Sequence, residues 1–190
     1  MERVLIVYAT REGHSARIAK FVEEIIRSNG AGCETYDAAK LDGAMDLRGF
    51  SHAFVIASVH GGKHELEIVQ FVKTRHRELE GMYSVFLSVS LSQAGAEDEA
   101  VQPDKRAKAA GDAQFMIDSF LRETGWHPMR AEPVAGALAY SKYNPVMRLI
   151  MKWISWRAGG ATDTSKDYCY TDWIALEALV NCVIAVQPVS

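Results

Sequence analysis

The chain has 190 residues, 48% of them hydrophobic and 24% charged, enough length and apolar content to bury one full core and to exclude disorder. A net charge of −3 excludes a general nucleic-acid binder, because affinity for a phosphate backbone needs a clustered excess of Lys and Arg. Cys33, Cys169 and Cys182 lack CxxC or Cys/His spacing, so neither a disulfide framework nor a metal site is expected, and a reducing, cytoplasmic setting is.

In chain order, Val4, Leu5, Ile6, Val7 and Tyr8 form a continuous β-branched and aromatic run, the pattern of a strand covered by helices on both faces. The N-terminus shows no basic and then apolar leader pattern, and no apolar run approaches the roughly 18 residues of a membrane span. Ile18, Val22, Ile25 and Ile26 recur at helical spacing, on a helix that Asn29 and Gly30 end. Glu34, Thr35, Tyr36 and Asp37 suit an edge strand, whereas 53–57 and 85–89 repeat the buried type. Helices are predicted over about 64–80 and 104–123, a fifth strand over 134–138, and a closing helix over 172–186. Strands alternating with helices imply an α/β, three-layer, doubly wound, five-stranded parallel sheet, since parallel strands need right-handed crossovers.

Thr10, Arg11, Glu12, Gly13, His14 and Ser15 lie between the first buried strand and the first helix, where backbone N–H groups and the helix dipole converge on an anion. Thr10 and Ser15 can donate to phosphate oxygens, and Gly13 lets the backbone approach closely. The alternative is that Ser15 only caps the helix and Gly13 only turns the chain. Neither a GxGxxG fingerprint nor the Lys-Ser/Thr of a P-loop NTPase is present.

Residues 133–162 contain no acid but carry Lys142, Arg148, Lys152 and Arg157. With Asn144 as cap and Pro145 at its first position, a helix there has Arg148, Lys152 and Ser155 as a narrow polar stripe. The rest, including Trp153 and Trp156, is apolar, and such a helix is expected to be buried against something. The candidates are a membrane interface, an anionic apolar ligand, its own domain, or a second copy of the chain.

The run Tyr8, Ala9, Thr10, Arg11, Glu12, Gly13, His14, Ser15 resembles the flavodoxin phosphate loop, T/S-x-x-G-x-T/S after an apolar strand. Gly136, Ala137, Leu138, Ala139 and Tyr140, then Met151 and Lys152, the GGATDT run from Gly159, and Tyr170, Thr171, Asp172 and Trp173 are more specific. Together they resemble the flavodoxin-like, menaquinone-dependent protoporphyrinogen IX dehydrogenases, over essentially the whole chain.

That resemblance implies a single flavodoxin-like domain over 1–190, strand order 2-1-3-4-5, and a helical insertion at about 141–170 before the last helix. It implies FMN held by Thr10, Arg11, Glu12, Gly13, His14 and Ser15. Two further loops, Ser58, Val59, His60, Gly61 and Gly62, then Ser88, Val89, Ser90 and Leu91, flank the isoalloxazine ring. Neither contains Phe, Tyr or Trp, so either His60 or His64 stacks on the ring or one face stays open. The implied activity is oxidation of protoporphyrinogen IX in haem biosynthesis, with electrons passed to menaquinone or ubiquinone at the inner face of the cell membrane. His60 and His64 are candidate proton acceptors, against the plainer reading that His64 begins a helix and His60 lines a wet loop. Lys142, Arg148, Lys152, Trp153, Trp156 and Arg157 are candidates for substrate or membrane contact. The rivals are a flavodoxin-type electron carrier, an NAD(P)H-dependent quinone reductase, and a binding module without flavin.

Overall fold

The computed structural model describes residues 3–41, 45–158 and 162–186, with the side chains of all of these but 154 and 156–158. In chain order the elements are β1 (Arg3–Ala9), α1 (His14–Ser28), β2 (Gly32–Asp37), β3 (His52–His60), β4 (Lys63–His64), α2 (Leu66–Glu80) and β5 (Tyr83–Ser90). There follow α3 (Leu91–Glu97), α4 (Pro103–Thr124), β6 (Arg130–Ala135), β7 (Ala137–Leu138), α5 (Pro145–Ala158), β8 (Tyr168–Cys169) and α6 (Trp173–Ile184). Short 3-10 turns occupy Ala38–Lys40 and Tyr140–Lys142.

β2, β1, β3, β5 and β6 lie side by side in that order, all parallel, which is the expected order 2-1-3-4-5 counted over the parallel strands alone. Alternation along β1 builds the three layers. Leu5, Val7 and Ala9 join Ile68, Val72, Ile117 and Phe120 of α2 and α4 on one face, while Val4 and Ile6 join Ile18, Val22, Leu176 and Val180 of α1 and α6 on the other. The chain leaves β1 toward β2 on one side and later adds β3 on the other, so the ends of β1 and β3 open onto a crevice where such sheets bind ligands.

Three boundaries differ from the sequence reading, each for a local reason. The helix expected from residue 64 starts at Leu66, because Gly61 and Gly62, with φ of +57° and +79°, turn β3 back on itself. Lys63 and His64 then pair antiparallel with His60 and Val59 in a hairpin whose two left-handed turn residues suit glycine. The fifth strand starts earlier, at Arg130, and leaves the sheet after Ala135. A Cβ on Gly136 would lie 3.3 Å from the Ser90 backbone, so glycine lets the chain cross there without pushing that backbone aside. Ala137 and Leu138 then pair with Cys169 and Tyr168, closing the base of the insertion. The helix α3, absent from the sequence reading, starts where the Ser90 hydroxyl accepts from the Gln93 amide.

Candidate functional site

The loop between β1 and α1 is shaped as an anion cradle. Gly13 is the N-cap of α1 at φ +92°, gives no side-chain cap, and donates its N–H to Thr10 Oγ1 at 2.9 Å. Ser15 is fully buried, and its Oγ has no hydrogen-bond partner among the described residues. Ser15 therefore does not cap the helix. A buried hydroxyl left unpaired costs about 1–3 kcal/mol, which a phosphate oxygen at this helix start would relieve. The first turn of α1 has no acid to offset its dipole.

His14 braces the loop from behind. The Thr171 hydroxyl donates to the Ala135 carbonyl at 2.7 Å, so it accepts from His14 Nε2–H, also at 2.7 Å. Burial, helped by Arg17, pushes the His14 pKa down to about 4, so the ring is neutral. Asp172 next to it accepts from the Ile174 and Ala175 amides and starts α6. The Tyr170 to Trp173 run thus serves both folding and the site.

Across the crevice, His60 Nε2 lies 2.8 Å from Glu12 Oε2 and 3.4 Å from Glu65 Oε1, and Arg11 reaches Glu65 Oε2 at 3.3 Å. Ser58 Oγ sits 3.4 Å from the Ala9 carbonyl and 3.5 Å from Glu65 Oε1. The structure thereby joins the phosphate loop to the β3–β4 hairpin through a carboxylate pair around one imidazole. Glu65 was missed in the sequence, where it reads only as an acid in the first turn of a helix.

His64 does not face the crevice. Its Nε2 pairs with Ser88 Oγ at 2.8 Å, its ring packs at 5.2 Å from Phe86 and 4.9 Å from Phe120, and burial pushes its pKa down to about 4. It is a half-buried, neutral imidazole packed on Phe86 and Phe120. Ser88 is occupied by it, Ser90 caps α3, Val89 is buried, and Leu91 is the first residue of α3. The register Ser58 to Val89 nonetheless places this stretch beside the β3 end.

The insertion reaches the same loop. Lys142 Nζ donates to the Glu12 carbonyl and lies 3.1 Å from where a Gly13 Cβ would be, which puts it on the phosphate loop rather than on an outer face. Asn144 Oδ1 accepts from the Met147 amide at 2.8 Å and starts α5 as expected. Arg148 Nε donates to the Tyr140 carbonyl at 3.2 Å, and Ser155 is buried in contact with Tyr140. That part of the polar stripe faces inward, and the apolar face points out: Val146 is 70% exposed, Leu149 69% and Trp153 54%, with Met147 and Ile150 beside them. Of the coverings expected for this helix, its own domain does not take the apolar face, because inward hydrogen bonds from Arg148 and Ser155 set its rotation. Leu149, Lys152, Trp153 and Thr162 line a shallow hollow of about 270 Å³ on that surface. The Trp156 and Arg157 side chains, and Gly159 and Gly160, expected to end the helix, lie outside the described residues. No described helix is long and apolar enough to cross a membrane.

A doubly wound parallel sheet with a Thr/Gly/Ser cradle at its switch point defines a flavodoxin-type domain, and the chain belongs to the flavodoxin domain family, whose model matches residues 5–165. FMN is the cofactor that goes with this family, and the orphaned Ser15 hydroxyl, the left-handed Gly13 and the undamped α1 dipole fit its phosphate. Among named relatives, the chain is 28% identical to the protoporphyrinogen IX dehydrogenase (quinone) of Escherichia coli strain K12, over 90% of this chain and 88% of that one. It is also 28% identical to the Leishmania major protein of the same name, over 94% of this chain and 73% of that one. Solved structures with the same fold include oxidised flavodoxin 1 of Bacillus cereus, TM-score 0.54 at 13% identity, covering 97% of this chain and 98% of the other. The Streptococcus pneumoniae flavodoxin gives TM-score 0.54 at 14% identity, covering 96% and 98%.

Proposed function

We propose that this chain is an FMN-dependent dehydrogenase that oxidises protoporphyrinogen IX to protoporphyrin IX and passes the electrons to a respiratory quinone, menaquinone or ubiquinone. The observation that carries the reading is α5. An outward apolar face with Lys152 on it leads through the Tyr140–Lys142 turn to the flavin loop, and so suits an apolar macrocycle with two propionates and a quinone dissolved in a bilayer. The names of the relatives support the same substrate and acceptor.

Bound FMN supplies two-electron redox chemistry, so a six-electron oxidation needs three turns, each with reoxidation by quinone. The residues of the chain hold and orient. Thr10, Gly13 and Ser15 bind the phosphate, and the Glu12–His60–Glu65 group fixes the phosphate loop against the hairpin. His60 is the imidazole that takes a proton from substrate in this reading, at Nδ1, because its Nε2–H donates to the Glu12 carboxylate at 2.8 Å. The same reading puts the protein at the inner face of the cell membrane, with α5 lying in the interface.

Anaerobic protein reconstituted with FMN tests the function. Protoporphyrinogen should bleach the flavin absorbance, and added menaquinone or ubiquinone should restore it. A flavin that binds but ignores protoporphyrinogen sinks the reading, leaving an NAD(P)H-dependent reductase if nicotinamide bleaches it and an electron carrier if nicotinamide does not.

A further inference from the structure

We propose that Lys142 is the cation of the FMN phosphate site, delivered to the loop by the insertion rather than by the sheet. The inference rests on the FMN reading and assigns a ligand to it. Nζ donates to the Glu12 carbonyl and lies 3.1 Å from where a Cβ on Gly13 would stand, so it occupies the glycine surface that a phosphate must approach. The fully buried Ser15 hydroxyl, without a partner among the described residues, belongs to the same cradle.

Charge gives the second argument. A phosphate monoester brings about −1.5 to −2 near neutral pH, into a loop that already holds the Glu12 carboxylate. Two other cations nearby are engaged: Arg11 reaches Glu65 at 3.3 Å, and the Arg17 guanidinium lies 4.9 Å over the Trp173 ring. Lys142 instead donates to an uncharged carbonyl, with the Asp167 carboxylate near enough to feel its charge but hydrogen-bonded to Ser141. Exchanging that carbonyl for a phosphate oxygen is a small movement of an exposed, flexible side chain, and it converts a neutral hydrogen bond into a charge-assisted one.

The position of Lys142 has a thermodynamic consequence. It ends the Tyr140–Lys142 turn, whose Tyr140 carbonyl accepts from Arg148 of α5, so flavin occupancy and the placement of the insertion are linked, each favouring the other.

The test is titration of the full chain with FMN and with riboflavin, followed by flavin fluorescence, for wild type, Lys142→Gln and Lys142→Arg. Lys142→Gln should weaken FMN about tenfold and flatten its salt dependence, leave riboflavin within about twofold, and be largely rescued by Lys142→Arg. Equal losses for both flavins would mean that Lys142 only shapes the insertion, and an unchanged FMN affinity would remove it from the site. Either overturns the assignment alone. Wild-type protein that takes up no FMN overturns the flavin reading and the assignment together.

Discussion

His64 and His14 are neutral imidazoles held by burial, and that predicts a loss of stability in acid. Each has a folded pKa of about 4 against an ordinary value of 6.5. Between these values the unfolded chain binds more protons, so their contribution is complete above pH 6.5 and is lost as pH falls toward 4. For His64 the loss is up to about 3 kcal/mol. Urea midpoints at pH 5 and 7.5 check it. Wild type should be markedly less stable at pH 5, and His64→Leu should narrow the gap, losing about 1–2 kcal/mol at pH 7.5, where Ser88 is left unpaired, and clearly less at pH 5, where the proton-linked penalty of His64 is gone. An equal gap in the variant would place the acid sensitivity elsewhere. At this scale the site was only partly legible. Thr10, Gly13 and Ser15 stand out because their chemistry is local to one strand-to-helix turn. Thr171 and Lys142 reach the loop from 157 and 130 residues away, and no periodicity records such contacts. The inward turn of His64 depends on a hairpin that was read as an open loop.

Elements were legible where burial is uniform. β1, β3 and β5 are apolar runs because helices cover both faces, and a run of that kind has no competing reading. β6 was obscured by Arg130, Glu132 and Pro133, residues that an edge strand tolerates and a central one does not. α3 has seven residues, too few for a 3.6-residue period to emerge. The hairpin at Gly61 and Gly62 was hidden because two glycines signal a turn without naming its type. Its φ values of +57° and +79° match a two-residue turn with both central residues left-handed, and a Cβ on either glycine would meet nothing within 4 Å. Backbone preference, not crowding, therefore decides what is tolerated. Gly61→Asn should cost under about 0.5 kcal/mol, whereas Gly61→Val should cost about 1–2 kcal/mol and loosen the His60–Glu12 contact. Denaturant unfolding of the two variants checks the order, and equal costs would refute the turn assignment.

Over the whole molecule the outward apolar face of α5 is the feature that composition foretold without naming its covering. The sequence marked the helix as apolar and left a membrane, an anionic ligand, its own domain or a second copy to cover it. Here Arg148 and Ser155 make the inward contacts, and Val146, Leu149 and Trp153 are left in the open. A protein bears the cost of exposed indole and leucine when something covers them in use. Lys152 among these residues, and the absence of acid from 133–162, favour an anionic lipid surface over a second copy of the chain, whose like charges would meet. Full burial of a leucine stabilises by about 1.5–3 kcal/mol, so losing Leu149 and Trp153 together should weaken binding on the order of a hundredfold. Co-sedimentation with vesicles of phosphatidylglycerol and phosphatidylcholine should pellet wild type, less so at high salt, and fail to pellet Leu149→Glu/Trp153→Ala. The exposure of both positions means that the melting temperature of the double variant should stay within a few degrees of wild type. Vesicle binding equal in the two proteins would detach α5 from the membrane. Sedimentation velocity showing a dimer that only the double variant breaks would assign the face to a second copy instead.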